Sequence, residues 1–163
     1  MIVVADTSPI NYLILIGSVD VLPSLYGEIL SPPAVIRELS ADASPPAVRA
    51  FIADPPQWFS SRDSVAPLDP SGALDDGEQE AIHLAREIGA DLLLMDDAAG
   101  RSAASVFGLR VVGVVGVLVA GGRRNLLDFE AAFSALEGTS FFVSDRVKRE
   151  AFRLWRHGND RKS

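Results

Sequence analysis

A chain of 163 residues falls within the usual size of one domain, and 48% hydrophobic residues exclude a disordered protein. The absence of cysteine excludes disulfides and thiolate zinc sites, and no apolar run reaches the ~18 residues of a membrane span. The formal net charge of −7 hides a segregation: residues 1–100 carry four basic against sixteen acidic side chains, and residues 101–163 eleven basic against six acidic. Such asymmetry suits a protein that holds cations in one region and phosphates in another, although chance clustering of surface charge gives the same numbers. The N-terminus, Met1-Ile2-Val3-Val4-Ala5-Asp6, lacks the basic and apolar regions of a signal peptide, so a cytoplasmic location with no membrane partner is expected.

Short apolar runs alternate with helical patterns along the chain. Ile2–Ala5 reads as a buried strand, Ile10–Ile16 as an apolar helix ended by Gly17, and Val19–Tyr26 as a short helix. Glu28–Leu30 reads as a strand. Ser31-Pro32-Pro33 is a helix start, with Ser31 as the capping hydroxyl of a helix through Leu39. Pro45-Pro46 opens a helix over Ala47–Ala53, and Trp58-Phe59 predicts a third strand with both rings in the core. The turn-rich stretch Ser60–Gly72 predicts a loop. Asp75 and Asp76 cap a helix that runs to Ile88 and stops at Gly89. Leu92–Met95 is a strand, Ala98–Phe107 a helix stopped by Gly108, and Arg110–Val112 a strand. Helices follow over Val114–Ala120, Leu127–Leu136 and Ser144–Arg156, the last capped by Ser144 and docked on the rest. Strand–helix alternation without a repeat or linker predicts one α/β domain over residues 1–163, with a parallel sheet covered on both faces.

In open parallel sheets, sites form beyond the carboxyl ends of the strands. Asp6 directly follows the first strand and Asp96 the fourth. Either alone is an ordinary turn acid. Glu78 adds a third: at ~100° per residue, Ala81, Ile82, Ala85 and Ile88 fall within about 80° of it, while Gln79, Glu80, His83, Arg86 and Glu87 take the opposite arc. Glu78 is therefore expected to face inward and Glu80 to face water. A buried carboxylate must be protonated, paired or bound to a metal, and no Lys or Arg shares that helical face. Glu38 sits at the edge of the Ala34–Val35 apolar stripe. Four acids from four segments suit a hard divalent cation such as Mg2+, which takes a few carboxylates and keeps several waters. With a phosphodiester, such a site activates a water and neutralises the developing oxyanion.

These segments resemble the motifs of PIN domains. Val4-Ala5-Asp6-Thr7-Ser8-Pro9 is similar to the first, and Pro33-Ala34-Val35-Ile36-Arg37-Glu38-Leu39 to the second. Gly77-Glu78-Gln79-Glu80-Ala81-Ile82-His83-Leu84-Ala85 resembles the third, with Glu where Asp is more usual. Leu92-Leu93-Leu94-Met95-Asp96-Asp97 resembles the fourth, and the 18-residue step from Glu78 to Asp96 fits the family spacing. The resemblance covers most of residues 1–115. It implies a Rossmann-like, three-layer fold with about five parallel strands, and kinship with the toxin nucleases of bacterial toxin–antitoxin pairs. The likeness extends to a PIN-like subgroup of nucleic-acid-binding proteins through Leu74-Asp75-Asp76-Gly77-Glu78, Gly100-Arg101 and Gly113-Val114-Val115-Gly116-Val117-Leu118. It implies catalytic acids at Asp6, Glu38, Glu78 and Asp96, with Asp6, Glu78, Asp96 and a supplementary Asp97 at a Mg2+ or Mn2+ ion, and Ser8 as polar neighbour of Asp6. The expected function is a metal-dependent, toxin-like endoribonuclease acting on RNA. A non-catalytic PIN-like module, with an antitoxin protein or a second copy of the chain as partner, stays open.

The last helix offers a second feature. Val147, Ala151, Leu154 and Trp155 form an apolar side that is expected to dock, and Arg146, Arg149, Arg153 and Arg156 face the other way, toward RNA phosphates, an acidic partner or solvent. His83 and His157 have no Ser or Cys partner for a nucleophilic mechanism. Gly113–Gly116 lacks the Lys-Ser/Thr ending of a phosphate loop and is expected to serve helix packing.

Overall fold

The computed structural model describes residues 1–160; residues 161–163, included in the expected single domain, lie outside the described residues. In chain order the elements are β1 (Val3–Ala5), α1 (Thr7–Leu15), α2 (Val21–Tyr26), β2 (Ile29–Ser31), α3 (Pro33–Ser40), α4 (Pro46–Ala53) and β3 (Phe59–Ser61). There follow α5 (Asp76–Glu87), β4 (Leu92–Leu94), α6 (Ala98–Val106), β5 (Val111–Val112), α7 (Val114–Arg123), α8 (Phe129–Glu137) and α9 (Asp145–Asp160). No described helix is long and apolar enough to cross a membrane.

The strands form one parallel sheet in the order β3-β2-β1-β4-β5, the five-stranded α/β arrangement expected of the sequence. Alternation along the central strands makes the layers, because successive side chains leave opposite faces of a strand. Val3, Ala5, Leu92 and Leu94 join Ile10, Leu13, Leu22, Val117, Leu118 and Phe133 on one face. Val4, Leu93 and Met95 join Ala81, Ile82, Leu84, Ala85 and Ala104 from α5 and α6 on the other. Both central strands are fully buried, so they read as continuous apolar runs.

Several boundaries differ from the sequence reading. Ser31 is no capping hydroxyl: it ends β2, is buried, and donates its Oγ–H to the Ala5 carbonyl (2.7 Å), leaving Pro32 at the N-cap of α3. Helix α1 begins at Thr7, directly after the first strand, three residues earlier than Ile10. Helix α7 continues past Ala120 to Arg123, because Gly121 and Gly122 are buried beneath neighbouring helices and packing outweighs their weak propensity. Helix α8 starts after Asp128, which caps it through the Ala131 N–H, and so excludes Leu127. Gly89 and Gly108 do end their helices, with positive φ of 62° and 72°.

Candidate acidic site

From the central β1 the chain builds outward to β2 and β3 on one side, then returns to β4 and β5 on the other. The crevice at the carboxyl ends of β1 and β4 is therefore the place where strand order reverses, the usual ligand position in such folds. Asp6 and Asp96 flank it, and the Asp6 N–H donates to the Leu94 carbonyl (2.9 Å).

Asp6 occupies the N-cap position of α1, where an aspartate normally accepts a helix N–H, yet its side chain makes no cap hydrogen bond. The residue is only 5% exposed, and its Oδ1 has no hydrogen-bond partner. Burial pushes its pKa up to about 7; the Thr7 backbone N–H offsets part of this, while the charges of Asp75, Glu78 and Glu38 add to it. The sequence-named acids Glu38 and Glu78 thus bear electrostatically on Asp6.

Glu38 reaches in from the last turn of α3 on an otherwise exposed side chain, with Oε2 accepting from Thr7 Oγ1 (2.7 Å). A Cβ on Gly77 would stand 3.1 Å from Glu38 Oε2 and 3.4 Å from Asp75 Oδ1, so these two carboxylates converge over a residue without a side chain. Glu78 is half-buried and completes a capping box: Asp75 Oδ1 accepts its N–H (2.7 Å) and Glu78 Oε2 accepts the Asp75 N–H (3.1 Å). Burial raises the Glu78 pKa; the Asp75 N–H opposes this, and the charges of Asp75, Asp97 and Glu38 reinforce it.

Asp96 differs from Asp6 in that both of its oxygens are engaged. Oδ1 accepts from the Val114 N–H at the start of α7 (2.9 Å), and Oδ2 from Ser8 Oγ (3.2 Å). Ser8, expected beside Asp6, therefore bonds the fourth acid. Burial raises the Asp96 pKa, countered by Val114, Ser8 and the nearby charge of Arg101. Asp97 caps α6 by accepting the Gly100 N–H (2.9 Å), so one of its oxygens has a structural task.

Two neighbours of Glu78 depart from the expected helical phase. Glu80 does not face water: its side chain is 17% exposed, pairs with Arg37 (3.8 Å) and accepts the Ala34 N–H in the first turn of α3 (2.8 Å). Gln79 is buried, and its amide bonds the Asp69 N–H and the Asp69 and Leu74 carbonyls, fastening the loop before α5. A single-stripe reading fails here because α5 is covered on more than one side, by the sheet, α3 and that loop. The sequence reading also passed over Thr7, Asp75 and Arg101 as site residues. Each lies within a quoted motif, Thr7 in Val4–Pro9, Asp75 in Leu74–Glu78 and Arg101 in Gly100-Arg101, and Asp75 also shows the Asp75-x-x-Glu78 capping spacing.

Among the described residues, no group of three or more His, Cys, Asp or Glu side chains is arranged to hold a metal ion directly. The donor chemistry nevertheless fits a hard cation: Asp6 Oδ1 is buried without a donor, and burial, reinforced by three other carboxylates, raises its pKa. An ion held by one or two carboxylates and several waters matches this set better than an all-protein cage.

On α9, the docked side is rotated from its expected phase. Ala151 and Trp155 pack inward as expected, but Val147 and Leu154 stay 44% and 37% exposed, and Phe152 turns in instead. The reason is aromatic packing: Phe152 lies edge-on to Phe129 and Phe133 (5.0 and 5.4 Å), and Trp155 stacks on Phe129 (4.8 Å). The arginines divide. Arg153 is held bidentately by Glu150 (2.6 and 2.9 Å), whereas Arg149 and Arg156 line an open concavity of about 450 Å³ with Asp145, Lys148 and Phe152.

Comparison with known proteins agrees with this architecture. A PilT N-terminus domain protein from the hyperthermophilic archaeon Sulfolobus solfataricus P2 has a similar fold, with a TM-score of 0.53 and 17% identity over 88% of this chain and 100% of that one. No curated protein matches. A family model described as PIN domain matches residues 2–157. With that match spanning nearly the whole chain, the protein belongs to the PIN-domain family.

Proposed function

We propose that this protein is a metal-dependent endoribonuclease of the toxin-like kind, hydrolysing RNA phosphodiesters with Mg2+ or Mn2+ at the β1–β4 crevice. Membership of a family of nucleases gives the general activity. The observation that carries the finer reading is Asp6, whose buried Oδ1 has no partner and which burial above all, and then the neighbouring carboxylates, disfavour as an anion. Ionised, such a group is costly to bury unless a cation lies beside it; without one it takes up a proton. In this reading Asp6 and Glu78 would hold the ion with Glu38 and Asp75 beside them, and Asp96 is held by Ser8 and Val114 as a pre-oriented acid. A bound divalent ion would lower the pKa of an attacking water and neutralise charge developing on the phosphate. The protein's own part is to fix the carboxylates at strand and helix ends.

A non-catalytic binding module is favoured by one observation, the lack of three directly converging ligands among the described residues. Purified protein incubated with single-stranded RNA separates the two readings. Cleavage with Mg2+ or Mn2+ that stops in EDTA supports the enzyme; tight binding without cleavage under any divalent cation supports the module.

A further inference from the structure

Arg101 stands at the rim of the acidic crevice, in the first turns of α6 just beyond the end of β4. It is exposed and takes part in no ion pair or hydrogen bond among the described residues. Its guanidinium nonetheless lies close to Asp96. A Cβ at Gly113 would come 2.5 Å from Asp96 Oδ1 and 3.2 Å from an Arg101 terminal nitrogen, so both groups border that glycine without forming an ion pair with each other. Asp96 already has donors for both oxygens, from Val114 and Ser8, and does not require the arginine to satisfy it. An uncommitted guanidinium thus borders a crevice otherwise lined by Asp6, Glu38, Asp75, Glu78 and Asp97. Its planar fork of donors matches two oxygens of a phosphate.

We infer that Arg101 contacts a phosphate of the single-stranded RNA lying in the crevice and orients it against Asp6 and Asp96. This rests on the ribonuclease reading for its substrate but concerns a different group, a cation of the protein and not its acids. An acidic crevice repels a polyanion, and a guanidinium at its rim supplies the attraction that draws one phosphate to it.

The test uses the full chain with Asp6→Asn to prevent cleavage, and a labelled single-stranded oligoribonucleotide as probe in Mg2+. Adding Arg101→Ala should weaken binding about tenfold and flatten the slope of log affinity against log salt by about 0.7, the share of one phosphate contact on a single strand. Arg101→Lys should restore the slope while recovering only part of the affinity. In the otherwise unchanged protein, Arg101→Ala should lower kcat/KM for RNA cleavage by a similar factor. Unchanged affinity and slope overturn the inference, as does failure of the parent to bind the probe. A shifted pH profile of cleavage with unchanged binding also overturns it, by making Arg101 a counter-charge for Asp96. If the slope flattens but wild-type protein cleaves no RNA, the phosphate contact stands and the ribonuclease reading fails.

Discussion

Thr7 Oγ1 donates a 2.7 Å hydrogen bond to Glu38 Oε2, tying the residue after Asp6 to the far end of α3. Thirty-one residues of chain and two further elements separate the pair, so this bond brings a flexible, exposed glutamate to the β1 crevice. Thr7→Val keeps the shape and removes the donor. A hydrogen bond to a charged group contributes about 1.5–3 kcal/mol where it is formed and less where water competes. The variant is expected to lose about tenfold in kcat while its melting temperature stays within a few degrees. Loss of stability without loss of rate, seen by calorimetry and cleavage assays side by side, would make the bond purely structural.

Asp6 gives a prediction with a definite sign. Its folded pKa of about 7 lies above the ordinary 3.8, so the folded state binds more protons than the unfolded one between those values. Stability in EDTA should therefore fall as pH rises from about 4 to 7 and remain low above that. The rise corresponds to at most about 4 kcal/mol against the ionised form. Asp6→Asn removes the penalty, so in EDTA at pH 8 it should melt above wild type, with the gap closing near pH 4. Saturating Mg2+ should narrow or reverse the order, because the variant also loses a ligand. A variant that melts lower at pH 8 in EDTA would identify Asp6 as a structural acid.

Glu78 and Glu80 should separate function from fold. Gln at position 78 can still accept the Asp75 N–H, so Glu78→Gln should fold normally and lose cleavage by two orders of magnitude or more. Glu80→Ala leaves the Ala34 N–H without its acceptor and Arg37 without its partner, and should cost about 1–3 kcal/mol. Urea titration and cleavage rates at saturating RNA should show opposite patterns in the two variants. Matching patterns would contradict the division of roles.

Gly113→Ala tests how tightly Asp96 is held. The new methyl would sit 2.5 Å from Asp96 Oδ1, which accepts the Val114 N–H while Oδ2 accepts from Ser8, so the carboxylate must move. Overpacking of this kind costs about 1–3 kcal/mol. Activity should drop at least a hundredfold in cleavage assays. Normal activity would mean that Asp96 lies outside the reacting centre.

On α9, the ion pair of Arg153 with Glu150 distinguishes it from Arg149 and Arg156. If this surface meets RNA backbone, replacing Arg149 and Arg156 together with Ala should reduce the salt slope by about 1.4, at about 0.7 per phosphate contact. Arg153→Ala should leave the slope nearly unchanged. An identical slope in all variants would give this surface to solvent or a protein partner.

Much of this molecule is written locally. The buried strands Val3–Ala5 and Leu92–Leu94 are legible as apolar runs, and Gly89 and Gly108 stop helices by backbone preference alone. Asp6 and Asp96 are legible as site candidates because each follows a buried strand, and a parallel sheet places such residues at one edge. Helical phase is less reliable, because periodicity assumes one buried stripe. Helix α5 is covered on several sides and α9 turns to seat Phe152 among aromatic rings, so Glu80, Gln79, Val147 and Leu154 depart from the phase. Which oxygens are satisfied was decided only by tertiary structure. Ser8 pairs with Asp96 and Thr7 with Glu38 because strands and helices distant in sequence end at one crevice. Long-range hydrogen bonds of this kind leave no periodic trace in the chain, since each depends on the packing of whole elements and not on spacing within one.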